Sequence, residues 1–313
     1  MKVAIFGARG FVGKALMLYL KGRGIETILF SRQESIVQGQ RCIVTDYSDI
    51  KKIQSQLLGI DVVVHLAGLA HQDEGSHSLQ EYIEANVNIT KAIAESAKKA
   101  NVNRFIYISS IAVNGNSTEK GKVHSESDLP NPVSDYGKTK YMAEKVIRNI
   151  FENSNTDYVI LRPPLIYGPN CPGNFRKLLV ITSKIFILPL GGVKNKRTFI
   201  YIDNIADVIF HILSLPDAAN EIFIVSDKET YPINEIIEIM MQEKFGNKAI
   251  NLYIPLVILN VLFKVFGFYN MWCKFSTELV VDSHKLTSKL KWQPPFTALE
   301  GIKKTTAGYK LDA

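Results

Sequence analysis

Ser110, Tyr136 and Lys140 are the residues from which this sequence can assemble a proton-transfer site. Tyr136 and Lys140 stand four apart in Tyr136-Gly137-Lys138-Thr139-Lys140, inside a stretch compatible with helix from Tyr136 to Phe151, so they share one helical face. A free phenol, with a pKa of about 10, is a poor base at neutral pH. An ammonium held nearby favours the phenolate, and each pKa unit gained is worth about 1.4 kcal/mol. Ser110 follows the run Asn103 to Ile108, read as a strand, and so falls where open parallel sheets place ligand-contacting groups. In these roles Tyr136 exchanges a proton with a substrate oxygen and Ser110 donates a hydrogen bond to the same oxygen. Such a set suits redox at an alcohol or ketone carbon, provided a cofactor carries the hydride.

The elements that would position such a cofactor lie upstream. Met1 to Phe6 is a short apolar run, read as a buried strand and too short for the core of a signal peptide. It opens into Gly7-Ala8-Arg9-Gly10-Phe11-Val12-Gly13, and Lys14 to Leu20 then reads as helix. Glycines between strand and helix let a pyrophosphate approach the backbone at a helix N-terminus, although the G-x-x-G-x-x-G spacing departs by one residue from the commoner G-x-G-x-x-G. Gly7, Gly10, Phe11, Val12 and Gly13 are therefore assigned to a dinucleotide. A second strand, Thr27 to Phe30, ends in Ser31-Arg32 instead of the carboxylate that would bind ribose hydroxyls, which favours NADP(H) over NAD(H). Asp46, with Tyr47 beside it, follows a third short strand and can accept from the adenine amine, or else cap a helix beginning near Ser48. After the strand from Asp61, Leu66, Ala67 and Gly68 leave room for pyrophosphate and ribose, while His65 reads as a packed residue. Ser109 and Pro163 complete the cofactor set, and Lys140 also holds the nicotinamide ribose. A helix from Leu79 to Lys99 carries Asn86, whose amide can fix water or backbone beside the site.

These motifs together resemble the extended short-chain dehydrogenase/reductase family, in its nucleotide-sugar epimerase/dehydratase branch. The resemblance rests on Gly7, Gly10 and Gly13, His65-Leu66-Ala67-Gly68, Asn86, Ser109-Ser110, Tyr136 to Lys140, Arg162-Pro163-Pro164-Leu165-Ile166-Tyr167-Gly168-Pro169 and Arg197-Thr198-Phe199-Ile200-Tyr201-Ile202-Asp203, nearly the whole chain. It implies an α/β fold, a Rossmann-type doubly wound parallel sheet with a smaller C-terminal substrate-binding lobe. Residues 1–168 and 199–226 would form the dinucleotide-binding domain, and 169–198 and 227–313 the nucleotide-sugar lobe. It further implies that Ser110, Tyr136 and Lys140 are catalytic, that Asn86 supports them, and that Arg197 binds the diphosphate of a UDP-sugar. Asn174 is expected near the sugar or uracil, and a homodimer is expected through the helices near Leu79 to Lys99 and Tyr136 to Phe151.

Within that branch, a 4,6-dehydratase needs acid-base groups where this chain has Ile111 and Ala112, so dehydration is not expected. An epimerase/reductase that adds a Cys and a His is discounted too, since Cys42 lies in the cofactor half and Cys171 off the strand-end motif. The favoured reading is an NAD(P)H-dependent 4-reductase of a UDP-4-keto-6-deoxy-N-acetylhexosamine in bacterial surface-polysaccharide synthesis. It rests on Ser31-Arg32, on Asn114 where epimerases commonly carry Tyr, and on the likeness of Ser109 to Gly115 to such reductases. A 4-epimerase with tightly held NAD is the alternative. A non-catalytic dinucleotide sensor is disfavoured, because sensing needs no proton-transfer set.

The remaining features set bounds. With 37 basic and 30 acidic residues the net charge is +7, compatible with a diphosphate ligand. The basic residues are scattered, without zinc-finger spacing or aromatic-basic repeats, so no nucleic-acid partner is expected. Cys42, Cys171 and Cys273 form neither a metal-ligand spacing nor an even disulfide set, which points to a metal-free cytoplasmic enzyme. Leu252 to Trp272 is largely apolar but is interrupted by Pro255, Asn260 and Lys264. It reads as a helix of the lobe, with peripheral membrane contact left open and a full span not expected.

Overall fold

The computed structural model describes residues 1–69, 77–265 and 276–309. Alternating strands and helices fill the first half: β1 (Lys2–Phe6), α1 (Phe11–Lys21), β2 (Glu26–Ser31), a small hairpin of β3 (Ile36–Val37) and β4 (Gln40–Arg41), β5 (Ile43–Val44), α2 (Ile50–Gln56) and β6 (Val62–His65). They continue through α3 (Leu79–Ile83), α4 (Ile89–Lys99), β7 (Arg104–Ile108), α5 (Asp135–Phe151), β8 (Asp157–Arg162) and β9 (Leu165–Tyr167). The short apolar runs become strands because each is buried on both faces of one sheet, where near-continuous Val, Ile and Phe are favoured.

That sheet has seven strands in the order β13-β8-β7-β6-β1-β2-β5, with every pair parallel. The fold is thus the doubly wound α/β architecture. From β1 the chain winds outward through β2 to β5, then crosses back to lay β6 on the other side of β1. This reversal opens a crevice at the carboxyl ends of β1 and β6, where open α/β sheets bind ligands.

Beyond β9 come α6 (Asn174–Lys184), β10 (Ile187–Leu188), β11 (Lys196–Arg197), β12 (Phe199–Tyr201) and α7 (Ile202–His211), and then β13 (Glu221–Ile224), which joins the edge of the large sheet beside β8. The chain continues through β14 (Tyr231–Pro232), α8 (Ile233–Phe245), β15 (Ile250–Asn251) and α9 (Leu256–Val265), and ends in the helices His284–Leu290 and Ala298–Ala307. One apolar cluster runs from Val3, Leu16 and Val64 under the sheet through Tyr167 and Ile209 to Met240 and Leu259, so both halves of the chain share a core. Among the described residues no helix is long and apolar enough to cross a membrane. Residues 266–272 of the apolar stretch and Cys273 lie outside the described residues.

The expected helix from Leu79 to Lys99 is broken by a π-helical turn, Glu84–Asn88, centred on Asn86. Such wide turns mark functional sites in many helices. Asp46 does not cap α2. The cap is Asp49, which accepts from the Lys52 N–H at 3.0 Å, while Asp46 accepts from the Ser48 N–H at 2.9 Å in a local turn.

Candidate active site

The loops after β1 and β6 meet backbone to backbone. A Cβ on Gly7, whose φ is +93°, would lie 2.7 Å from the Ala67 nitrogen, and one on Gly13 would lie 2.4 Å from the Gly7 carbonyl oxygen. Only glycine permits this packing. Gly10 precedes α1 without a side-chain cap and the first turn holds no acidic residue, so its N–H groups are left to an anion. These features fit a dinucleotide pyrophosphate held by Gly7, Gly10, Phe11, Val12 and Gly13 on one side and by Leu66, Ala67 and Gly68 on the other. At the end of β2, Ser31 is buried and its hydroxyl accepts from the Gln33 N–H at 3.3 Å, while Arg32 is exposed. The Tyr47 side chain turns into the core. Its ring packs against Phe6 and its hydroxyl donates to the Phe30 carbonyl at 2.9 Å, so only its main chain remains for a ligand.

Asn86 acts on backbone. Its Oδ1 accepts from the Leu69 N–H at 2.7 Å, and its Nδ2 donates to the Leu69 carbonyl at 3.2 Å and to Thr139 Oγ1 at 3.3 Å. The wide turn at Asn86 thereby ties the loop after β6 to the first turns of α5, between Tyr136 and Lys140. His65 is fully buried and pairs through Nε2 with Thr90 Oγ1 at 2.8 Å. Burial, reinforced by Lys140, pushes its pKa down to about 3, so it is a neutral packed residue.

Ser110 lies two residues beyond β7 in extended conformation, capping the short turn that follows, and its Oγ accepts from the Ala112 N–H at 3.2 Å. Opposite it α5 begins, capped by Ser134, whose hydroxyl accepts from the Gly137 N–H at 3.1 Å. Gly137 sets the approach of these two elements, because a Cβ there would lie 2.5 Å from the Ala112 carbonyl oxygen. A glycine in a helical first turn costs about 1 kcal/mol relative to alanine. Here it lets the start of α5, and with it Tyr136, come close to the turn that carries Ser110, near enough for the Ser110 hydroxyl to act on the phenol.

The electrostatics differ from the expectation. Desolvation pushes the Tyr136 phenol up to about 12, with the Ser110 hydroxyl pulling the other way. The lowering expected from Lys140 does not dominate, because the ammonium is engaged beneath: it donates to Tyr107 Oη at 3.1 Å and to the Ile108 carbonyl at 2.9 Å. Burial pushes Lys140 itself down to about 8, opposed by Glu144 one turn further along α5.

Glu144 belongs to a buried network that sequence reasoning missed. It receives Arg162 Nε at 2.9 Å and Nη2 at 2.5 Å, and Ser109 Oγ donates to it at 2.5 Å. Arg162 Nη1 reaches Asn114 Oδ1 at 3.0 Å, and Asn114 Nδ2 donates to the Ser125 carbonyl at 2.9 Å. Ser109 and Asn114 are thus tied into the scaffold by their side chains. An arginine inside an otherwise apolar strand was the available signal, since a buried guanidinium requires a partner. Pro163, also buried, accepts from the Ile111 N–H at 2.9 Å, fixing the turn after Ser110.

On the lobe side, Arg197 is half-buried in β11, and its Nη1 donates to the Thr277 carbonyl at 3.0 Å and to Thr277 Oγ1 at 3.2 Å. Burial pushes its guanidinium down to about 10, still charged at neutral pH. The segment that follows Thr277 joins Arg197 to the catalytic loop. The Leu279 N–H bonds the Lys196 carbonyl at 3.1 Å, the Thr118 N–H bonds the Glu278 carbonyl at 2.8 Å, and the His124 N–H bonds the Val280 carbonyl at 2.9 Å. Asn174 opens α6 just after Gly173, whose φ is +76°. Among the described residues no group of three His, Cys, Asp or Glu is arranged to hold a metal, and Cys42 and Cys171 are buried free thiols.

A glycine-lined crevice at the reversal of a parallel sheet, faced by Ser110, Tyr136 and Lys140, defines a dinucleotide-dependent enzyme of the short-chain dehydrogenase/reductase type. Residues 3–226 match the model of the NAD dependent epimerase/dehydratase family, and the chain belongs to that family. It is similar to UDP-glucose 4-epimerase of Vibrio cholerae, at 32% identity over 98% of this chain and 95% of that one. It is also similar to N-acetyl-alpha-D-glucosaminyl-diphospho-ditrans,octacis-undecaprenol 4-epimerase of Escherichia coli O157:H7, at 27% identity over 81% and 75% of the two chains. The crystal structure of UDP-glucuronic acid 4-epimerase from Bacillus cereus in complex with NAD shares the fold, with a TM-score of 0.76, 23% identity and 98% of each chain covered.

Proposed function

We propose that the protein is a 4-epimerase of a diphosphate-linked sugar, with a UDP-hexose or UDP-N-acetylhexosamine as substrate. The observation that carries this reading is the meeting of Ser110 and Tyr136 where Gly137 seats α5 against Ala112, with Lys140 one helical turn on and its Nζ 3.8 Å from where a Cβ on Gly68 of the crevice would lie. A dinucleotide held by the Gly7–Gly13 loop and by Leu66, Ala67 and Gly68 would supply hydride acceptance and return at the sugar carbon. Tyr136 Oη removes the proton from the sugar 4-hydroxyl and gives it back, and Ser110 Oγ holds the same oxygen. Lys140, cationic below pH of about 8, supports negative charge on the phenol while the proton is away. Arg197 receives the diphosphate, a group common to the UDP-sugar and the undecaprenyl diphosphate named for the two relatives. The same reading takes the protein as a homodimer through the outer faces of α3–α4 and α5, where Leu79 and Met142 are exposed. Light scattering tests that point separately.

Two findings move this reading from reduction toward epimerisation. The 32%-identical relative is a 4-epimerase, and Asn114, taken from sequence as a mark of reductases, is occupied with Arg162 and the Ser125 carbonyl. Reduction of a 4-keto-6-deoxy sugar stands as the second reading, supported by the exposed Arg32 and the absence of a carboxylate at the end of β2, which suit NADPH. Purified protein, given UDP-GlcNAc or UDP-glucose and no added cofactor, should form the 4-epimer and release NAD on denaturation. No epimer, together with stoichiometric NADPH oxidation on a UDP-4-keto-6-deoxy-N-acetylhexosamine, would replace this reading with the second.

A further inference from the structure

A short helix on the surface of a water-soluble fold ordinarily turns a polar face outward, and α9 does not. Its inner stripe, Leu256, Leu259 and Phe263, packs on the common core. Its outer stripe is Val257, Ile258, Val261, Leu262 and Val265, with Val257 73% and Val265 74% exposed. The apolar surface continues beyond the helix. β10 and β15 pair side by side, Ile187 opposite Ile250, and the residues flanking them, Phe186 at 52% exposure and Tyr253 at 66%, are exposed too. Exposed apolar side chains concentrated on neighbouring elements in this way mark an interaction site.

The charges carried by its own segments have one sign. The stretches 181–194 and 246–265, which form this face, contain Lys184, Lys194, Lys248 and Lys264 and no Asp or Glu. All four lysines are exposed, and the Lys194 ammonium lies 5.8 Å from the centre of the Tyr253 ring. The nearby acids are on α8, where Glu238 Oε1 accepts from Asn251 Nδ2 at 3.4 Å and Glu243 is exposed. An apolar surface rimmed by lysines is complementary to a bilayer bearing anionic headgroups: aliphatic side chains enter the acyl boundary while ammonium groups stay among the phosphates. A second copy of the chain is a poorer partner, because a two-fold contact sets the lysine rim against itself. At ten residues, about 15 Å, α9 is half the length needed to cross the hydrocarbon layer, so it would lie in the interface.

We propose that α9 and the β10–β15 edge dock this enzyme on anionic membrane, from the lobe that carries Arg197. The proposal is independent of which sugar reaction the crevice performs, since it is read by binding alone. The full-length protein should float with phosphatidylcholine vesicles containing phosphatidylglycerol, stay behind with phosphatidylcholine alone, and be released by salt. The double variant Val257→Asp/Val261→Asp should lose flotation while keeping its melting temperature and NAD binding. Lys248→Gln/Lys264→Gln, confined to exposed positions, should weaken partitioning roughly twenty-five-fold, about fivefold for each lysine near the surface. The proposal is overturned if the wild type ignores anionic vesicles at low salt, if the lysine variant binds as the wild type does, or if neutral vesicles serve equally. It also falls if the lipid-free protein is a dimer that the Asp variant converts to monomer, which would identify a second copy as the occupant.

Discussion

The crevice and the α9 face put polar and apolar groups to opposite use. Around the crevice, charged and hydroxyl side chains are buried and paired: Arg162, Glu144, Ser109 and Asn114 form one connected network, and Asn86 bridges a loop to a helix. In the outer lobe, two-residue strands are tied by backbone hydrogen bonds and by Asn251, and the ten-residue α9 is seated by its apolar inner stripe, while valines and isoleucines stay in contact with solvent. Directional bonds fix atoms to within fractions of an ångström, as proton transfer demands, whereas apolar packing tolerates local shifts. A proton-transfer site therefore belongs on the first region, and an adaptable contact surface suits the second.

The contrast is sharpest in turnover. Tyr136→Phe keeps the ring and removes the proton, so kcat should fall by about 10² to 10⁴ with dinucleotide affinity unchanged. Turnover within a few-fold of wild type would remove Tyr136 from the chemistry. Next is the buried pair. Glu144→Ala leaves the Arg162 charge without its carboxylate and should cost about 3–5 kcal/mol in urea unfolding. A loss below 1 kcal/mol would show that the network does not hold the site together.

Acid titration separates two buried groups more finely. His65 is held near 3 in the fold against 6.5 ordinarily, so the unfolded chain takes up a proton that the folded chain refuses. Stability through His65 is present above pH 6.5 and declines as pH falls, by up to about 1.4 kcal/mol per unit. Asp227, which accepts from the Tyr201 N–H, Asn204 and Tyr167, is raised by burial to about 6 from 3.8, and so adds stability as pH falls through that window. Asp227→Asn removes the opposing contribution, and its stability should fall more steeply than that of wild type between pH 6 and 4. Parallel slopes would mean that Asp227 does not take up the proton. The smallest effect is expected outside. Val261→Ser should change stability by no more than about 0.5 kcal/mol, against about 2 kcal/mol or more for Leu259→Ala on the inner stripe of the same helix. Equal losses would mean that the outer stripe is covered by protein.

Much of the sheet was legible because parallel strands buried on both faces are written as short apolar runs. β1, β6 and β7 fall within one to three residues of their sequence bounds. Less legible were features set by partners far along the chain. The π turn at Asn86, the Asp49 cap and the inward turn of Tyr47 each reflect a competition among neighbouring donors and acceptors that periodicity does not record. The two-residue strands of the lobe were hidden for a related reason, since a pair that short acquires its conformation from the strand it meets.

The sequence by itself determined the glycine loop, the strand-end serine, the tyrosine and lysine one helical turn apart, and the alternation that winds a parallel sheet, because spacing along a strand or helix follows from local backbone geometry. Tertiary structure alone decided that Gly137 seats α5 against Ala112, that Lys140 lies on Tyr107, that Glu144 neutralises Arg162, and that the outer face of α9 stays uncovered by the described residues. Those outcomes depend on which distant surfaces exclude water together, and burial, which sets both pKa and exposure, is a property of the assembled chain.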